Sequence, residues 1–245
     1  MFDAKRIKDE LVLWIQNWFA CNGPDCNAII GISGGKDSTV AAALCVEALG
    51  ADRVIGVLMP NGEQSDIADS YEVVKHLGIE FFEVDIEDSV YAVCHSILRN
   101  KRDFKFSDQT MINISPRIRM TTLYAISQSV NGRVVCTDNL SESYVGYSTR
   151  WGDNVGDFCP LLNLTSEEVM AIGDELELPT HLVHKTPSDG LCGKTDEDNF
   201  GFTYEVLNKY ILTGICENEE IKKRIDWLHE KNRFKQLPIP AFQFS

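Results

Sequence analysis

Asp37 stands in a run of small residues, Gly31-Ile32-Ser33-Gly34-Gly35-Lys36-Asp37-Ser38, between the apolar stretch NAIIGI and the alanine-rich STVAAALCVEAL. Glycines in such a turn let backbone N–H groups approach an anion, and the start of a helix adds favourable partial positive charge. Ser33 and Ser38 contribute hydroxyl donors. The run does not fit the GxxxxGK[ST] phosphate loop, because its glycine spacing is one residue short and Asp37 stands where that loop needs a hydroxyl for magnesium; a GxGxxG dinucleotide motif is absent as well. A carboxylate beside several phosphates is repulsive unless a divalent cation lies between them, so Asp37 points to Mg²⁺ shared with phosphate oxygens. The bland alternative is an ordinary glycine-rich turn with a polar cap, which the grouping Ser-Gly-Gly-x-Asp-Ser makes the less favoured of the two.

A second constellation, RVVCTDNLSESYVGYSTRWGDNVGDFCPL, runs from Arg133 to Leu161 and also starts at the end of an apolar, β-prone stretch. In it Thr137 could hydrogen-bond a nucleotide, Glu142 could complete a magnesium site with Asp37, and Arg150 with Asp157 could recognise an anionic or hydroxylated substrate. Taken singly, each is more often a solvated loop residue.

The elements that must position these groups follow from hydrophobic periodicity. NAIIGI (27–32), RVIGVLM (53–59), IEFFEVDI (79–86) and RVVCT (133–137) read as strands. Helices are expected over the alanine-rich run after Ser38, over DIADSYEVVKHL, at about 86–99 and within NISPRIRMTTLYAISQSV. Ile7, Leu11, Trp14, Ile15 and Trp18 share one face of an N-terminal helix capped by Asp3, which should pack on the sheet. The alternation predicts an α/β fold with a parallel sheet and puts both constellations at its carboxyl edge, where open α/β sheets bind ligands. From 139 to 195 the chain reads as loop-rich, with shorter helices at about 166–177, 203–212 and 218–230. Trp14, Trp18, Phe81 and Phe82 are assigned to the core and not to a base-stacking platform.

Bulk properties narrow the function. A chain of 245 residues with 44% hydrophobic content forms one domain. Its formal charge of -14 disfavours nucleic acid and anionic membranes as partners. No apolar run reaches membrane-spanning length and the N-terminus carries charges where a signal needs an apolar core, so a cytoplasmic protein is expected. Eight cysteines without a CxxC pair read mainly as buried, reduced thiols, and His181 with His184 as structural.

The SGGxDS loop resembles that of the N-type ATP pyrophosphatases, which adenylate a substrate and release pyrophosphate. The second segment resembles the NAD synthetase pattern TDN-x-x-E-x-x-x-G-Y-x-T-[KR]-x-G-D-x-x-x-D-x-x-P-L, and the likeness continues through PRIRM, HLVHKTPSDGL, TDEDNFGFTYEVLNKYI and KQLPIP. It implies a Rossmann-like, adenine nucleotide alpha hydrolase-like sheet with helices on both faces and a single ligase domain over 1–245. It further implies ammonia-dependent amidation of deamido-NAD, with ATP as co-substrate and Mg²⁺ as cofactor, in a homodimer without an amidase domain. By the same resemblance ATP binds Gly31–Ser38, Thr137 and Ser188, with Met59 and Gln64 lining the adenosine pocket. Asp37 and Glu142 hold magnesium, Arg117, Arg150, Asp157 and Lys235 hold deamido-NAD, and Asp153 is the candidate base for ammonium. The sequence departs from the family at Lys36, a variable place given no catalytic side-chain role. It departs again at Ser166, where many relatives have an ATP-contacting lysine that Lys185 or Lys194 could replace, and at Phe234, where histidine often precedes the final lysine. Arg150 itself replaces the more frequent lysine. Rival readings are another adenylating enzyme of the same superfamily and a non-catalytic nucleotide sensor.

Overall fold

A computed structural model describes residues 2–64, 66–185 and 195–243. Helix α1 (Ala4–Asn22) starts at Asp3, whose side chain accepts from the Arg6 N–H, and leads to strand β1 (Asn27–Gly31). Helix α2 (Lys36–Leu49), β2 (Val54–Leu58), α3 (Ile67–Leu77), β3 (Glu80–Glu83), α4 (Glu87–Asn100) and α5 (Asp108–Ser129) follow. Then come β4 (Gly132–Val134), α6 (Leu140–Val145), α7 (Ser166–Glu175), α8 (Thr180–Val183), α9 (Asp196–Phe200), α10 (Tyr204–Thr213) and α11 (Glu219–Asn232).

All pairings in the sheet are parallel, in the order β3-β2-β1-β4. The central strands are buried on both faces, as continuous apolar runs in parallel sheets should be. One face packs Ala28 and Ile30 with Ile15 and Phe19 of α1, Val40 and Leu44 of α2 and Val169 and Ile172 of α7. The other packs Ile29, Val57 and Val134 with Met120 and Leu123 of α5 and Ile86. Helices therefore cover both faces, as expected of a Rossmann-like sheet. A third cluster around Val145, Phe200, Leu207 and Ile225 joins α6, α10 and α11.

Ile15 and Phe19 of α1 join the core cluster of Ala28 and Ile30, and the helix packs chiefly on α2 and α7. Two readings need correction. Trp14 is 43% exposed, and Phe81 and Phe82 are 45% and 43% exposed. Both phenylalanines lie on β3, an edge strand, where an apolar run need not be buried. The segment read as loop after residue 138 contains α6 and α8, elements too short for a periodic signal. Among the described residues no helix is long and apolar enough to cross a membrane. Cys26, Cys45 and Cys136 are buried reduced thiols as expected, whereas Cys21 is exposed.

Candidate active site

β1 ends at Gly31, and the Ile32 N–H still bonds to Val57 O at 3.0 Å, so the turn that follows leaves from the sheet's carboxyl edge. Gly34 has φ +76°, and a Cβ there would stand 2.7 Å from the Cβ of Asp69. No other residue fits. The turn is braced by its own hydroxyls: Ser33 Oγ and Ser38 Oγ are 3.0 Å apart, the Ser33 N–H donates to Ser38 Oγ at 3.3 Å, and the Gly35 N–H donates to Ser33 Oγ at 3.3 Å. Gly35 caps α2 without a side chain, which leaves the first turn of that helix open to an anion.

The adjacent strand β4 delivers Thr137, half-buried, and then Asn139, which is completely buried. Asn139 Oδ1 accepts from the Glu142 N–H at 3.0 Å and so starts α6, while its Nδ2 donates to Asp37 Oδ1 at 3.0 Å. One residue thus fixes both acids. Among the described residues no donor reaches the Glu142 carboxylate. Removal from water, followed by the neighbouring charge of Asp37, raises its pKa well above the ordinary value, against the pull of Lys36. Two hard oxygen donors without a third protein ligand suit Mg²⁺, which keeps waters and takes phosphate oxygens as its remaining ligands. Among the described residues no group of three or more metal-ligating side chains is assembled. Asp138 is also buried, and its carboxyl is pushed well up by burial and then by Cys136, Asp153 and Asp37.

A second group of charged side chains lies around the turn after α6. The Lys235 ammonium donates to Gly146 O at 2.7 Å and Ser148 O at 2.9 Å, with burial lowering its pKa. The Arg150 guanidinium lies 4.9 Å from the ring centre of Trp151 and 5.1 Å from that of Phe234. Its Nε is buried without a hydrogen-bond partner. Arg117 is exposed and donates from Nε to Arg150 O at 3.2 Å. Asp153 is exposed, and its Oδ1 accepts from the Thr149 N–H at 2.6 Å; removal of the carboxyl from water raises its pKa, against that hydrogen bond and the charges of Lys235 and Arg119.

Several expected contacts are placed differently. Both Asp157 oxygens are engaged by the fold, Oδ2 by the Val134 N–H at 2.7 Å and Oδ1 by the Tyr124 hydroxyl at 3.3 Å. Ser166 is 2% exposed, accepts from Asn208 at 3.2 Å and belongs to a buried network with Ser141, away from solvent. Gln64 is turned to Asp66 at 3.0 Å. Met59 is buried at the end of β2, its methyl beside Gly31 and its carbonyl bonded by Arg119 at 3.1 Å. Lys185 sits at the loop's rim, bonded to Asp66 at 2.9 Å and to Asp69, the neighbour of Gly34, at 2.6 Å. Ser188 and Lys194 lie outside the described residues. His181 and His184 are exposed and pair with Glu72 and Asp174 on the surface. Reading the sequence did not single out Asn139, Asp138 or Arg119. The pattern Asn-x-x-Glu at 139–142, a helix-start signature, could have identified Asn139.

A parallel sheet whose carboxyl edge carries a glycine loop opening a helix, with two carboxylates beside it, defines an enzyme that handles the phosphates of a nucleotide. Comparison with known proteins narrows this class. The NAD synthase family pattern matches residues 7–238, and the chain belongs to that family. It is 37% identical over 220 residues to the NH(3)-dependent NAD(+) synthetase of Finegoldia magna, covering 89% of this chain and 88% of that one. Among solved structures it resembles an NMN synthetase from Francisella tularensis, with TM-score 0.90 and 33% identity over all of both chains. An NAD+ synthetase from Burkholderia pseudomallei superposes with TM-score 0.79 at 27% identity, covering 97% and 92% of the two chains.

Proposed function

We propose that this chain amidates deamido-NAD with ammonia at the expense of ATP, giving NAD, AMP and pyrophosphate in the last step of NAD biosynthesis. The observation that carries this reading is Asn139 tying Asp37 of the glycine loop to the start of the helix that holds Glu142, in a member of the NAD synthase family.

A carboxylate is a poor acyl donor, so the nicotinate oxygen attacks the α-phosphorus of ATP and an NAD-adenylate forms. The open N–H groups at the start of α2, with the Ser33 and Ser38 hydroxyls, face the departing pyrophosphate. Asp37 and Glu142 would hold Mg²⁺, which would supply neutralising charge for the phosphate oxygens. Arg150, stacked between Trp151 and Phe234, orients the anionic acceptor together with Arg117. Ammonium must lose a proton before it attacks the acyl carbon, and Asp153, its carboxyl held above the ordinary value by removal from water, is the base. Free ammonia is the nitrogen source, in keeping with the name of the Finegoldia relative. The working unit is a homodimer, for which the exposed Leu13 and Trp14 of α1 and Met111 of α5 offer apolar surface. Light scattering that finds only monomer would contradict it. The reduced cysteines fit a cytoplasmic setting.

A second reading, the same ligation performed on nicotinate mononucleotide, draws on the full-length likeness to the Francisella NMN synthetase. Supplying the purified protein with ATP, Mg²⁺ and ammonium, with either deamido-NAD or nicotinate mononucleotide as acceptor and glutamine replacing ammonium as control, separates them. A higher kcat/KM for deamido-NAD supports the first reading and a higher one for the mononucleotide supports the second. Absence of ATP turnover with both acceptors rejects the two together.

A further inference from the structure

Lys36 is the loop side chain that this chemistry leaves without a role. A lysine is seldom buried without a partner, yet this one is 4% exposed at the first position of α2. Its ammonium lies 2.7 Å from Asp37 Oδ2 and 5.6 Å from the centre of the Tyr204 ring, in the field of Glu142 and Asp196. The other Asp37 oxygen accepts from Asn139 at 3.0 Å. Both oxygens of the acid at the centre of the candidate metal pair are therefore engaged by the protein itself, one of them by a full positive charge.

We propose that Lys36 is a built-in counter-cation for Asp37 and Glu142, which holds the pair together in the free protein and keeps a divalent ion from binding until nucleotide phosphates arrive. The inference rests on reading those two acids as the magnesium pair. Without a cation, two half-buried carboxylates repel each other and carry a desolvation cost that a nearby charge must offset. With the ammonium in place, an incoming divalent ion meets a like charge a few ångströms away and competes for Asp37 Oδ2. Phosphates tip that competition because they bring negative charge and further oxygen ligands. Metal and nucleotide then bind interdependently, and the free protein binds the metal measurably but more weakly than its nucleotide complex does.

The test is a Mn²⁺ titration of the full chain without nucleotide, followed by the electron paramagnetic resonance of the free ion, for the unaltered protein and for Lys36→Met, Lys36→Arg and Asp37→Ala. Lys36→Met should bind Mn²⁺ about tenfold more tightly than the unaltered protein, Lys36→Arg should stay close to it, and Asp37→Ala should lose the site. Thermal melting provides a second readout that survives poor folding. Lys36→Met should melt at a lower temperature and regain it with Mn²⁺, whereas Lys36→Arg should gain little. Equal Mn²⁺ affinity in Lys36→Met and the unaltered protein, with binding lost in Asp37→Ala, overturns the counter-cation and leaves the metal pair standing. Equal affinity in Asp37→Ala and the unaltered protein overturns the metal pair and this inference with it.

Discussion

At the glycine loop the polar groups are backbone N–H groups and two hydroxyls, set by the end of β1 and the start of α2. At the proposed acceptor end they are long side chains, Arg150, Lys235 and Arg119, set by packing between the turn after α6, the C-terminal Arg233–Lys235 turn and α5. The first construction is local in sequence and made largely of backbone. The second depends on residues brought from three distant segments, and it can be retuned one side chain at a time. Substitutions at the two ends should therefore fail differently: those at the loop should stop ATP chemistry for every acceptor, while those at the far end should alter the use of the acid substrate alone.

The strongest break of that contrast is Asp37→Ala, which should lower kcat for pyrophosphate release by about 10³-fold with any acceptor while circular dichroism stays unchanged. Near-normal turnover would remove Asp37 from the site. Arg150→Ala sharpens the contrast from the other end. It should raise KM for the acid substrate by about 10–100-fold, the worth of a charge-assisted bond, and leave KM for ATP alone. An equal rise in both constants would mean that the two ends are not separate. Gly34→Ala forces a side chain into the left-handed region and against Asp69, and should cost about 2 kcal/mol, or about 6 °C of melting temperature, with a raised KM for ATP.

The smallest effect concerns Asp138, which lies between the two ends. Its folded pKa is raised, so the native state holds this proton more tightly than the unfolded chain, and the associated stability is lost as pH rises above the ordinary carboxyl value of 3.8. Asp138→Asn removes that loss. Its melting temperature should exceed that of the unaltered protein by about 3 °C at slightly alkaline pH and match it in acid. A difference independent of pH would show that the Asp138 charge is not what costs stability.

The same contrast governs what could be read without coordinates. β1, the Ser33–Ser38 turn and α2 were legible because apolar run, glycines and alanine-rich helix are contiguous, and the placement of Asp37 beside Glu142 followed from two strand ends on one sheet edge. Asp157 and Ser166 were not legible in the same way, since the Val134 N–H and the Asn208 amide that take their polar atoms come from 23 and 42 residues away. Phe81 and Phe82 misled because apolar character reports burial only where a second layer covers the strand, and β3 is at the edge. The role of Asn139 hid in a helix of six residues, below the length at which periodicity is visible.

The strand order also sets a sequence of events during folding. β1, β2 and β3 pair with near neighbours along the chain, but β4 joins β1 by matching Gly132 to Asn27, across the longest stretch of any strand pairing in the sheet. Contacts that close long loops form slowly, so β4 is expected to dock after the first three strands have assembled. Asp37 belongs to the early unit, whereas Asp138 and Glu142 follow β4. The mutual repulsion of these acids is consequently absent from early collapse and is concentrated in the final docking step, where added salt should accelerate refolding and leave the earlier phase untouched.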